Sequence, residues 1–244
     1  MNCKLLAALA RSDLRNSLRD PMLQVTYVVP FLLFGLLRFA LPVAAEIIHD
    51  RFGFDLTGSY PLIISVAVLL VPMMTGMVMA FIMLDELDDH VFSALAVTPL
   101  GLGGYMAGKI ILPILISTLM VWLLLMFNGL MWVSPVSLFF AAAVSSLIGP
   151  VIALCISGYA ENKITGLTLS KASGILMIMP VLYHLSDSSW AAITLIIPTV
   201  PSALMMQRLL TGSRQWYWLL VISLVHQGLL MAGALRYFSR RRCQ

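Results

Sequence analysis

Four carboxylates fall within five residues, Asp85, Glu86, Asp88 and Asp89, at the head of the stretch LDELDDHVFSALAVTPLGLGGYMAGK, 84–109. Carboxylates at that density suit one of two tasks. They can hold a divalent cation for diphosphate chemistry, or they can meet a basic surface. The first task needs a second acidic cluster and basic phosphate clamps, and the chain has one cluster. G-x-S-x-G, H-E-x-x-H and paired intramembrane aspartates are missing too. So is G-x-x-x-x-G-K-[ST], the loop that cradles nucleotide phosphates. Cys3, Cys155 and Cys243 form no motif. No catalytic residue, cofactor site or metal site is therefore expected on this chain, and the acidic cluster reads as the head of a short amphipathic helix or as a solvated topology marker.

The elements that carry these residues are apolar. Of 244 residues, 60% are hydrophobic and 11% charged, with a mean hydropathy of +0.96. Soluble domains carry about 25% charged residues, so the chain cannot build a water-facing shell and reads as an all-α integral membrane protein. A β-barrel is excluded because the apolar runs are continuous rather than alternating. At about 20 residues per span, runs at 22–45, 60–84, 110–127, 136–157, 167–185 and 216–238 give six transmembrane helices in a single transmembrane domain, 1–244. Pro72 is expected to kink the second. The N-terminus lacks a short apolar core followed by a small-residue cleavage site, so no removed signal peptide is expected.

A further apolar run, 190–212, carries Pro198 and Pro201. Each removes a backbone donor, which lipid penalises. The run is therefore expected to be a re-entrant or outer-surface helical hairpin rather than a seventh span. Six spans put both termini on the cytosolic side, with 11 Lys and Arg inside against four outside (Arg38, Arg51, Arg208 and Arg214). Within 1–21, Lys4, Arg11, Arg15 and Arg19 form one stripe of a helix, which suits an amphipathic segment lying on anionic headgroups.

In this topology the carboxylates are cytosolic. Residues 85–98 read as a short amphipathic helix with Leu87, Val91 and Leu95 on one face, its N-terminal dipole favouring the acids. Pro99 disfavours helix at Thr98, and Gly101, Gly103 and Gly104 keep the chain loose until the third span. Ala141, Ala142, Ser145, Ser146 and Gly149 give the fourth span a small-residue face for close helix packing, within the chain or against a second copy. Met73 and Met77 among the 16 methionines, with His226 and Gln227 in the last span, are candidates for a substrate path, since flexible thioethers adapt to varied apolar ligands and intramembrane polar groups mark sites. Gap-filling and a helix-to-helix hydrogen bond are the plainer readings. Arg38 and His184 fall near the outer ends of their spans, within reach of water.

The constellation Glu86, Thr98-Pro99, Tyr105 and Gly108-Lys109 resembles the permease subunits of type-2 ATP-binding-cassette (ABC) exporters. So do AENKITGLTLSK (160–171), similar to their second cytosolic loop, and IIPTVPSALMMQRLLTG (196–212), similar to their outer segment. The subclass it is most similar to is the fluoroquinolone-export type. Many members carry a basic residue and a Gly-Thr pair after the glutamate, where this chain reads LDDHVFSAL. The resemblance implies an N-terminal elbow helix and a coupling helix at 85–98 that docks on a separate ABC ATPase subunit. Glu86, Asp88, Asp89, Val91, Phe92, Thr98, Pro99 and Lys109 would form that coupling region. ATP and Mg would be bound on that partner. It also implies a second permease chain as dimer partner, lipid contacts, no nucleic acid, a location in the inner membrane of a prokaryote, and outward movement of an amphiphilic or hydrophobic compound. Alternatives of other classes are an ATP-independent secondary carrier using His226 or Arg38, and a non-transporting anchor or immunity-type subunit.

Overall fold

The structure is a computed structural model that describes residues 21–89, 101–186 and 191–242, all of whose regular elements are helical. Among the described residues, six stretches are long and apolar enough to span a membrane: Val28–Phe52, Thr57–Asp88, Gly103–Phe127, Pro135–Tyr159, Lys163–Leu185 and Trp216–Arg241. The first contains α1 (Pro21–Gly35), a π-turn (Leu36–Ala40) and α2 (Leu41–Phe52). The second and third are the unbroken α3 (Tyr60–Asp88) and α4 (Gly101–Phe127). The fourth is α5 (Pro135–Ser146) running into α6 (Ile148–Tyr159). The fifth is α7 (Lys163–Ser173), a 3-10 turn (Gly174–Met177) and α8 (Met179–Leu185). After α9 (Ala191–Thr194) and α10 (Thr199–Leu210), α11 (Trp216–Arg242) forms the sixth.

Several boundaries differ from the sequence reading, each for a physical reason. Gly101, Gly103 and Gly104 are helical rather than loose. The roughly 1 kcal/mol that each glycine costs a helix is outweighed because Tyr105 and Lys109 pack fully buried against α3. Asp85, Glu86 and Asp88 do not open a separate helix either. They form the last turn of α3, and Asp89 closes it by donating its N–H to the Asp85 carbonyl at 3.0 Å. The fifth span starts at Lys163 because Asn162 caps it, accepting from the Thr165 N–H at 2.9 Å. The expected elbow helix (1–21) and the rest of the expected coupling helix, with Val91, Phe92, Thr98 and Pro99, lie outside the described residues, apart from Pro21, which opens α1.

The bundle has two stacked cores. One, toward the end bearing Glu86 and Lys163, gathers Met73, Val78 to Leu84, Ile148 to Ile156, Met177 and Phe238. The other gathers Leu37, Leu41, Ile64, Val68, Leu124, Leu138, Met205, Leu209 and Trp216. The second and fourth spans are the most deeply buried and meet without side chains between them. A Cβ on Gly149 would lie 2.9 Å from the Pro72 carbonyl oxygen, and one on Gly76 would overlap the Gly149 backbone. The small-residue face of the fourth span is thus used within the chain: Ala141, Ala142, Ser145, Ser146 and Gly149 are all buried. Beside this crossing, Thr75 and Ser117 join the second span to the third through a 2.6 Å hydroxyl pair.

The segment before the last span is not one of the six span-length helices and folds against the middle of the fifth and sixth. Thr199, at the start of α10, donates its hydroxyl to the Leu176 carbonyl at 2.6 Å, midway along the fifth span. Pro180 has no N–H to offer that carbonyl four residues back, so Thr199 satisfies an acceptor that would otherwise be orphaned in lipid. Ser202 accepts from the Gln227 amide at 2.5 Å, midway along α11. At the far end, Gln207 meets His184 at 3.3 Å. The chain therefore dips to the middle of the bundle and climbs back. On that outer side Asn128 accepts from the Leu130 and Met131 N–H groups, and the Arg38 side chain fills the space that a Cβ on Gly129 would need. Arg38, in the π-turn midway along Val28–Phe52 rather than near an end of that span, thus reaches the loop that follows the third span. In the neighbouring loop the Thr57 hydroxyl, and then its backbone N–H, hold the Asp55 carboxyl below its ordinary value.

The backbone crossing makes a sharp prediction. Gly76→Ala should cost about 1–3 kcal/mol as overpacking and lower the thermal midpoint of the detergent-solubilised protein. Gly103→Ala, whose Cβ would meet nothing within 4 Å, should leave that midpoint unlowered or raise it slightly, since alanine is the better helix former.

Candidate functional site

α3 ends in three acids, and a helix carboxyl end carries partial negative charge that disfavours them. The neighbouring elements supply the cations. Lys109 donates its ammonium to Glu86 at 2.9 Å, with the lysine side chain wholly buried and that of Glu86 only 17% exposed. Tyr105 donates its hydroxyl to the other oxygen of Glu86. Tyr105 and Lys109 are four residues apart, so they share one face of α4, and the ammonium also lies 5.1 Å from the centre of the Tyr105 ring. Lys163, in the first turn of the fifth span, reaches Asp85 at 3.0 Å, with both groups partly open to solvent.

These two pairs bind the second span to the third and the fifth at a single level. A third contact completes that level. Arg241 of α11 donates to the Gly158 carbonyl at 3.2 Å and to the Tyr237 hydroxyl at 2.9 Å, and stands 4.0 Å from Glu161. Tyr237 stacks on Tyr159 with ring centres 4.5 Å apart. Asp88 and Asp89 point away from this lattice and are exposed. They lead directly into 90–100. Chemically the arrangement is a polar collar at one end of five spans, with two exposed acids at its edge. Among the described residues no group of three or more His, Cys, Asp or Glu could hold a metal ion.

Of the residues singled out from the sequence, Glu86 and Lys109 come together, while Asp88 and Asp89 stay at the surface. Met73 is sealed in the core at 1% exposure and Met77 packs half-buried beside it. His226 is half-buried, and Gln227 is fully buried on the re-entrant tip. Sequence reasoning missed an apolar cavity of about 280 Å³, whose lining includes Cys155, Ser173, Pro198 and Leu230. Apolar lining residues look like any lipid-facing residue in sequence. Only Pro198 carried a signal, as a breaker at the turn of a re-entrant chain.

The family model described as "Fluoroquinolones export permease protein Rv2686c-like" matches residues 13–235. Two relatives from Mycobacterium tuberculosis bear matching names: fluoroquinolones export permease protein MT2760 (strain CDC 1551 / Oshkosh) and fluoroquinolones export permease protein Rv2686c (strain ATCC 25618 / H37Rv). Each is 32% identical over 188 residues, 76% of this chain and 75% of its own length. No solved structure matches.

The Glu86–Lys109 pair should show strong coupling. Glu86→Gln and Lys109→Met should each cost roughly 3 kcal/mol, since either removes the other's partner in this ion pair at a mostly buried place. The double variant should cost clearly less than the sum of the two. A double-variant cycle on unfolding in mixed micelles reads this, and strict additivity would refute it.

Proposed function

The chain belongs to the Rv2686c-like family of fluoroquinolones export permease proteins, and from that premise we propose that it is the transmembrane permease subunit of an ABC exporter. It moves an amphiphilic, fluoroquinolone-like compound outward across the membrane in which its six helices sit. A separate ATPase subunit binds ATP and Mg and supplies the energy. A second permease chain, identical or a sister, completes the transmembrane part, because six spans make about half of such an exporter. The chain itself is not an enzyme.

The observation that carries this reading is the collar with its two exposed acids. A segment that receives mechanical force must be anchored at its base, or the force dissipates in local bending. The Glu86–Lys109 and Tyr105–Glu86 contacts close the base of 88–101 across the second and third spans. Asp88 and Asp89 remain available at its edge for a basic groove on a partner. The lack of a nucleotide-binding loop in the sequence fits an energy source on another chain.

Asp88→Lys combined with Asp89→Lys tests the docking surface, because both side chains are exposed and outside the packed lattice. Membrane insertion and thermal midpoint should be unchanged. ATP-dependent uptake of a fluoroquinolone into inverted vesicles, measured with the partner ATPase present, should fall about tenfold or more, the loss of roughly 1.4 kcal/mol or more of charge complementarity at the interface. Undiminished ATP-dependent transport by the double variant would remove the docking role. Transport by the chain alone on an ion gradient would replace the ATP-driven reading with a secondary carrier.

A further inference from the structure

Building on that permease reading, we propose that the cavity between the fourth, fifth and sixth spans is a binding pocket for the apolar body of the exported amphiphile, entered from the cytosolic side and stopped by the re-entrant tip. Its length follows from the residues that line it. On α6 these run from Tyr159, at the collar, through Cys155 to Val151, a rise of about 12 Å at 1.5 Å per residue. On the facing fifth span, Leu169, Ser173 and Leu176 line it at helical spacing, and Leu230 of α11 closes a side. The far end is Pro198, at the turn of the re-entrant segment. The cavity thus reaches from the cytosolic rim to the middle of the bundle and ends there.

The chemistry of the lining selects the occupant. The Ser173 hydroxyl is already committed to the Ser170 carbonyl at 2.7 Å, so the wall offers an apolar surface. Polar groups stand only at the mouth. There Tyr159 and Tyr237 stack, and Arg241 and Glu161 lie 4.0 Å apart, an acid and a base within reach of one compact head. At about 280 Å³ the space is close to the lower end of small-molecule sites, about 300–1,000 Å³. A phospholipid would have to leave one of its two chains outside, whereas a compact amphiphile fits its whole apolar part.

The stop is held by bonds that can be exchanged. Ser202 donates to the Pro198 carbonyl at 3.0 Å and accepts from Gln227, one turn before Leu230. Thr199 bonds the carbonyl of Leu176, itself a wall residue. Wall and stop therefore belong to one hydrogen-bonded unit at mid-bundle. Movement of the re-entrant tip opens the closed end toward the outer side.

Cys155 provides the test. In the Cys3→Ser, Cys243→Ser background, in lipid nanodiscs without ATP or partner, the rate of Cys155 labelling by N-ethylmaleimide is followed with and without ciprofloxacin. Occupancy of the pocket should slow labelling about tenfold at ten times the apparent Kd. Leu230→Trp, which fills the cavity, should label slowly whether or not the drug is present. Leu230→Phe serves the same purpose if the larger residue lowers the yield of folded protein. Labelling indifferent to the drug overturns the pocket. Labelling that speeds up on delipidation and still ignores the drug assigns the cavity to an acyl chain and also overturns it. Because no ATPase is present, protection by the drug stands or falls separately from ATP-driven transport. A chain that binds but is never energised by a partner ATPase would sink the permease drive and leave the pocket.

Discussion

Acids at the carboxyl end of a membrane helix face the wrong end of its dipole, and that constraint organises one end of this molecule. Asp85, Glu86 and Asp88 occupy the last turn of the 29-residue α3. Two of them are answered by lysines from different spans, Lys163 for Asp85 and Lys109 for Glu86. A buried ion pair adds little net stability over a well-packed apolar pair, because both ions must be desolvated. What it adds is position. An ammonium with no exposed surface has few places in which its charge is tolerated, so the register of α4 against α3 is fixed to within a hydrogen bond. The helical start of α4, unexpected from its glycines, follows from this: a loose segment could not deliver Tyr105 and Lys109 to the same carboxylate.

The middle of the bundle is held by shape instead. Gly76 and Gly149 let the second and fourth spans touch backbone to backbone, and the hydroxyl pair of Thr75 and Ser117 brings in the third. The second span is thus shared by everything near it. At its cytosolic end it is clamped by charge to the third and fifth spans, and at mid-height it is locked by contact to the fourth. The first, fifth and sixth spans bury far less of their surface and present Phe31, Leu32, Leu182, Val225 and Leu229 outward.

Much of this was legible in the sequence. The six span-length helices follow from hydropathy, a property of each residue's own side chain. What escaped was pairwise. The acids read as the start of a helix because their sequence neighbours suggest a cap, but their spatial neighbours, Lys109 and Lys163, lie 23 and 78 residues away. The third span read as starting nine residues late because glycine propensity is local and the packing of Tyr105 is not. The methionines drew attention as adaptable side chains, yet Met73 is core. Residues such as Cys155 and Ser173 gave no hint of a shared cavity, since apolarity in a membrane helix reports the solvent as readily as a site.

The hydrogen bonds at the re-entrant tip differ in kind from the collar. Thr199 to Leu176, Ser202 to Pro198 and Gln227 to Ser202 are neutral contacts, each worth about 1 kcal/mol net. The first exists because Pro180 of the fifth span has no N–H for the Leu176 carbonyl, so Thr199 satisfies it instead. Charged hydrogen bonds are roughly twice as strong, so the cytosolic collar is the stiff end of the bundle and the tip is the compliant one. The weaker contacts lie where α10 meets the fifth span and α11, beside the Pro198 end of the apolar cavity.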